Sequence, residues 1–194
     1  QIALGSRGSV FDAQATTLGT VISRDVVLIL NEADVDTTIA HELTHLVVAL
    51  VLEGSILGKV QIPAWLNEGL AMYNQGTLEG EYRAALSVAI ASDRTFTVRS
   101  LTSFSGRPGD IGLNYGESYS IIEFLVKQFG ADKINQLLAT YKRGARDDDA
   151  VKAVYGFDQD GLYDQWRAYV GLKPRGAVST PQPNAPVAPT AAPQ

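Results

Sequence analysis

The sequence predicts an α+β fold that is predominantly helical, with a small N-terminal β-sheet ahead of a helical body. Three observations carry that expectation. The first thirty residues are rich in β-branched and apolar residues and are punctuated by Gly5, Gly8 and Gly19. From Asp36 onward apolar residues recur at helical spacing, and from Lys173 the composition changes to Pro, Ala, Thr and Gln.

The strands are expected at Thr20–Ser23 and Asp25–Leu30, where Val and Ile cluster. Asp34 or Asp36 can cap the first helix, whose apolar run continues to Leu52 before Glu53-Gly54 stops it. Pro63 suits the first residue of a second helix, Pro63–Asn74, because its missing N–H has no partner to lose there. Further helices are predicted at Glu79–Ser92, Gly116–Phe129, Ala131–Arg143, Asp147–Tyr155 and Asp158–Val170. Arg94–Asn114, with Gly106, Pro108, Gly109 and Gly112, reads as a surface loop.

A chain of 194 residues with 45% hydrophobic residues is long enough for one domain with a sizeable core. Two regions are therefore expected: a domain over 1–172 and a solvated tail over 173–194. Six of the eight prolines lie at or after Pro174, which leaves the tail nothing to bury. As a stalk, it would lead to a missing C-terminal segment that anchors the protein to a wall or membrane. The net charge of -5 and the scattered lysines and arginines exclude a nucleic-acid partner. With no cysteine, disulfides, thiolate metal sites and cysteine nucleophiles are all excluded.

The most informative stretch is "TTIAHELTHLVVALVLEG", residues 37–54, which holds both histidines of the chain. On a helix, His41 and His45 lie about 40° apart with Val48 and Leu52, opposite Ile39, Leu43, Leu46 and Leu50. Both faces are apolar, so burial on both sides is expected, with the imidazoles facing an enclosed cleft. Residues four apart stack one turn above each other, so two imidazole nitrogens can converge on one ion at about 2.0–2.1 Å. Glu42 stands beside that ion without ligating it, placed to take a proton from a metal-bound water. The bland alternative makes both histidines hydrogen-bonded core residues. The glutamate and the four-residue spacing together outweigh it.

A catalytic Zn2+ site takes three protein ligands and keeps one position open. With no cysteine and no third histidine the third ligand must be a carboxylate, and "PAWLNEGLAMY" offers Glu68. His41-Glu42-Leu43-Thr44-His45 followed by Trp65-Leu66-Asn67-Glu68-Gly69-Leu70-Ala71 resembles the gluzincin zinc metallopeptidases, specifically the peptidase MA-like family. The resemblance continues through "NYGESYSIIEFLVKQFGADKINQLL" and the helical C-terminal pattern, about Asp36 to Gly171.

That resemblance implies a zincin-like (thermolysin-like) catalytic core and a zinc-dependent peptidase, expected to be an endopeptidase. It makes His41, His45 and Glu68 the metal ligands and Glu42 the general base. A tyrosine near the start of the later helix is implied to stabilise the oxyanion, with Tyr115 aligned best and Tyr119 in reserve. Trp65 is expected in the core, and Asn67 is a candidate partner for a ligand. No phrase like that with which the related aminopeptidases hold a substrate amine precedes the zinc helix, so aminopeptidase specificity does not follow.

An extended peptide or protein substrate is expected to pair with the sheet edge at Gly19–Ser23. The protein is expected to be a monomer, extracellular or at the cell surface. The chain opens at Gln1, and its short strand region raises the expectation of N-terminal truncation. A reading from another class is a non-catalytic zinc-containing surface module that binds a cell-wall or protein partner. The acidic run Asp147-Asp148-Asp149 is read as a helix start, since acids favour that end of the dipole.

Overall fold

The computed structural model describes residues 18–22, 25–29, 35–55, 58 and 60–175, with side chains from 37 onward. Strands β1 (Leu18–Ile22) and β2 (Asp25–Ile29) are followed by α1 (Val35–Leu52), α2 (Ala64–Asn74) and α3 (Gly80–Ala91). A 3-10 turn at Ser100–Thr102 leads to α4 (Pro108–Phe129), α5 (Ala131–Lys142), α6 (Asp147–Tyr155) and α7 (Gln159–Tyr169). The expected glycines at 5 and 8, and most of the expected tail, lie outside the described residues.

The α+β class predicted from the sequence is overturned: the fold is helical. Among the described residues the extended segments amount to one antiparallel hairpin, with Leu18 opposite Ile29 and Ile22 opposite Asp25, lying beside α1. Two five-residue strands cannot by themselves carry a core layer. Among the residues whose side chains are described, the core is built by helices and the segments between them.

The longest helix, α4, is the axis of that core. Its Ile121, Ile122 and Leu125 are fully buried and meet Trp65 and Leu66 of α2, Leu137 of α5 and Leu162 and Trp166 of α7 in one cluster. Two glycines set how close its neighbours come. A Cβ on Gly69 would stand 2.5 Å from the backbone oxygen of Ser118, and one on Gly116 would stand 2.7 Å from that of Tyr82. Only hydrogen fits at either crossing, so α2 and α3 lie almost backbone to backbone with α4.

The loop expected over Arg94–Asn114 is corrected at its C-terminal end, because α4 begins at Pro108, eight residues before Gly116. Pro108 fits the first helical turn, where its φ is already helical. Gly109 and Gly112 each cost about 1 kcal/mol of helix propensity, and packing of α4 on α3, which Gly112 meets at Ala85 and Gly116 at Tyr82, overrides that cost. The remainder of the expected loop is pinned from two sides. The buried Glu117 accepts the Phe96 N–H at 3.0 Å through both carboxylate oxygens. Arg167, also buried, pairs with Asp93 at 2.7 Å.

Burial of α1 on both sides is likewise corrected. Val48 and Leu52, on the histidine face, are buried, whereas Leu43 and Val47 remain 48% and 57% exposed. The histidine face is the inward one, packed on α2. Leu43, Val47 and Val51 instead rim an apolar groove shared with Leu70, Ile134 and Leu138. No helix among the described residues is long and apolar enough to cross a membrane. At the far end, Arg167 donates to the carbonyl of Lys173 at 2.7 Å and Asp164 accepts the Arg175 N–H at 2.8 Å. The first residues of the expected tail are therefore bound to α7.

Candidate metal centre

Helices α1 and α2 run antiparallel, and three polar contacts tie them. His45 lies against Asn67, His41 against Gln75, and Asn74 donates to the Thr44 hydroxyl at 3.3 Å. Thr44 in turn donates to the Ala40 carbonyl one turn back. One helical turn separates the imidazoles, whose ring centroids are 4.8 Å apart with planes at 78°. Oε2 of Glu68 stands 3.5 Å from Nε2 of His41 and 3.5 Å from Nε2 of His45.

Glu68 owes its place to its neighbours on α2. Trp65 and Leu66 are wholly buried and seat the first turn of the helix, while Gly69 abuts α4. With those positions turned toward the core, residue 68 is rotated toward α1. Pro63 starts the helix as its extended N-cap residue, at φ -61° and ψ 149°.

The donor set fits a zinc ion. Two ligand atoms about 2.0–2.1 Å from a common tetrahedral centre stand about 3.3–3.4 Å apart, close to the two 3.5 Å separations found here. The three ligand atoms lie within 4.8 Å of one another. An amide oxygen accepts and cannot donate, so the 3.0 Å contact with Gln75 Oε1 places a proton on Nδ1 of His41. The 3.2 Å contact with Asn67 Oδ1 does the same for His45. Each ring then turns an unprotonated Nε2 toward Glu68, the form in which imidazole ligates.

Without an ion the same contacts draw protons onto the cluster, which a bound metal would displace. Burial would push the Glu68 carboxyl up, but hydrogen bonds and charge from His41 and His45 outweigh it and hold the group at about 2. Burial would push His45 down, yet contact with Glu68, helped by Asn67 and Glu42, carries it above the ordinary imidazole range. The cluster thus presents a permanent anion between two nitrogens, a combination that attracts a dication. Glu42 differs. It is 5% exposed, and its Oε2 is buried without a hydrogen-bond partner. Burial, with a smaller contribution from Glu68, raises its carboxyl against the opposing pull of the two histidines. An unpaired buried carboxylate oxygen is costly and marks a place where another polar group belongs.

The two candidate tyrosines part company. Tyr115 packs edge-on against Phe104 at 5.2 Å and against Tyr82 at 5.7 Å. Burial raises its phenol, and the charges of Glu68 and Glu42 raise it further, so it stands within electrostatic reach of the cluster. Tyr119 packs on Tyr73 instead, and the charges that act on it are those of Glu123, Lys127 and Arg83. The acidic run opens α6, as expected. Asp148 pairs with Arg99, which also holds Asp160, and Asp147 accepts from the Tyr141 hydroxyl.

Gln75 escaped sequence reasoning. It lies beyond the recognisable W-L-N-E-G phrase, as the C-cap residue of α2, and no short motif marks it. The usable signal is periodicity: seven residues after Glu68 is two turns along the same face.

A family model described as the Peptidase MA superfamily matches residues 17–172. Neither a curated protein nor a solved structure matches the chain.

Proposed function

Because this chain belongs to the Peptidase MA superfamily, we propose that it is a zinc-dependent peptidase of the gluzincin type, cutting within extended peptide or protein substrates. The observation that supports this best is the convergence of Nε2 of His41, Nε2 of His45 and Oε2 of Glu68 around one point. Those three side chains would hold the ion, and the buried, unpartnered Oε2 of Glu42 belongs to the helix that carries the two histidines.

Bound there, zinc would act as a Lewis acid on the scissile carbonyl and lower the pKa of water toward about 7. The chain's own residues supply the rest. Glu42, its carboxyl raised by burial, accepts the proton of the attacking water and returns it to the leaving amine. One carboxylate serves both steps because its basicity lies nearer to that of the groups it exchanges with. Tyr115 donates its hydroxyl proton as a hydrogen bond to the oxyanion; its raised phenol keeps that proton in place at neutral pH. The apolar packing around Val48, Trp65 and Leu66 excludes water from behind the ligands. An extended substrate would align along β1, which among the described residues pairs only with β2, by strand addition.

A purely structural zinc site would take a fourth protein ligand and would have no use for a buried base. The decisive test replaces Glu42 by Gln, which keeps the shape and removes the basicity. Cleavage of a casein-type substrate should fall about 10²–10⁴-fold, while zinc stays bound at one per chain. A Glu42→Gln protein that cleaves at the parent rate removes Glu42 from the mechanism.

A further inference from the structure

We propose that Gln75 and Glu79 form a relay that positions His41, with Gln75 fixing the imidazole and Glu79 fixing Gln75. The inference rests on the zinc reading of the site and concerns how that site is built.

The chain of contacts determines each orientation in turn. Nε2 of Gln75 donates to Oε1 of Glu79 at 3.2 Å. A carboxylate only accepts, so the amide nitrogen must face residue 79, and Oε1 of Gln75 is left to face His41. That oxygen only accepts, so Nδ1 of His41, 3.0 Å away, carries the ring proton. The lone pair then lies on Nε2, which faces Oε2 of Glu68 at 3.5 Å. A carboxylate at residue 79 thus sets the tautomer of an imidazole through one intervening amide. It does so without placing a second anion against the ring.

The backbone around these residues is arranged for this. Gln75 is the C-cap residue of α2, at φ -71° and ψ -11°, and its N–H is bonded to the Ala71 carbonyl. Glu79 occupies the N-cap position of α3 at φ -60° and ψ 154°, yet its side chain does not cap that helix. Acceptors at that position ordinarily bond the first free N–H groups of their own helix. Here the carboxylate turns back across the α2–α3 connection to Gln75. His45 is held differently, by Asn67, the residue next to ligand Glu68. His41 depends on the end of α2 and the start of α3. The relay therefore couples this ligand to the turn between the two helices.

Groups that orient a ligating histidine are worth about 10–100-fold in metal affinity. The test is the zinc affinity of the full chain, measured by competition with a chromogenic chelator, together with the visible spectrum of the Co2+-loaded protein. Gln75→Ala should weaken zinc by about 10–100-fold and alter the cobalt bands. Glu79→Ala should weaken it in the same direction by less. Exchanging the pair, with Gln75→Glu and Glu79→Gln together, should recover most of the affinity. An acceptor then still faces His41, and a donor still joins residues 79 and 75. Thermal unfolding of the metal-free variants should stay close to the parent, since Glu79 is exposed and Gln75 only half-buried.

Parental affinity and cobalt spectrum in Gln75→Ala would overturn the relay while leaving the zinc reading intact. An exchange variant no better than Gln75→Ala would also overturn it, and parental affinity in Glu79→Ala would remove residue 79 from it. If the parent chain takes up no zinc, or His41→Ala binds zinc as tightly as the parent, the zinc reading itself fails.

Discussion

Gly69 and Ser118 meet at the crossing of α2 and α4, where a Cβ on the glycine would stand 2.5 Å from the serine carbonyl oxygen. The contact matters beyond the core, because Gly69 is the neighbour of Glu68. Gly69→Ala would have to push α2 off α4, and overpacking of this kind costs about 1–3 kcal/mol. The expected outcome is a lower urea midpoint and, because Glu68 moves with its helix, weaker zinc binding. A variant with parental stability and affinity would show that the crossing can relax without moving the ligand.

Glu68 contributes the one permanent anion of the cluster. Glu68→Ala leaves two imidazoles and should sharply reduce zinc retained after dialysis against a mild chelator, with activity lost in parallel. Glu68→Asp is a useful companion, since it keeps the charge but withdraws the carboxylate by one methylene. It should retain zinc better than the alanine variant. Equal metal content in parent and Glu68→Ala would take residue 68 out of the coordination sphere.

Tyr115 and Tyr119 lie one turn apart on α4 but answer to different charges. Tyr115→Phe removes a donor and should lower kcat by about 10²–10³-fold with zinc content unchanged. Tyr119→Phe, whose ring packs tilted against Tyr73, should stay near the parent rate. The reverse result would assign the oxyanion contact to Tyr119.

Glu117 should give the protein an unusual pH dependence of stability. Burial drives its carboxyl up to about 8, only partly offset by the Phe96 N–H. Its folded pKa lies above the ordinary value of 4.5. The folded state therefore binds the proton more tightly than the unfolded state does. The stabilisation is complete below about pH 4.5 and is lost as pH rises to about 8, over a range worth a few kcal/mol. Asp93 and Asp148, which arginines hold below the ordinary range, act oppositely and at lower pH, outside that window. Urea midpoints between pH 5 and 8 should fall for the parent and fall less steeply for Glu117→Gln, which still accepts from Phe96 and in which only the raised Glu42 and His45 still act in that direction. A parental slope in Glu117→Gln would locate the dependence elsewhere.

Much of this molecule was legible before any coordinates. Periodicity and capping residues predict α6 at its observed ends, and α2 and α7 to within a residue at each end, because their signals are local. A spacing of four puts His41 and His45 on one face of any α-helix, whatever surrounds it.

What failed, failed for reasons that act across the chain. Among the described residues the strand signal gives two five-residue strands, so the α+β expectation became a helical fold with one described hairpin. Gly109 and Gly112 read as loop because propensity is local, whereas their helix exists through its packing on α3. Which face of α1 turns inward depended on α2, and so Leu43 and Leu50 are exposed where burial was expected.

The sequence by itself determined the local elements and the chemistry the chain can offer: two imidazoles one turn apart, a neighbouring acid, and a second acid in a helix starting at a proline. Tertiary structure alone decided that Glu68 faces those imidazoles and that Gln75 holds one of them. Both depend on how α2 is seated between α1 and α4, with Gly69 against Ser118 on one side and the histidines on the other, an arrangement that no local pattern of residues encodes.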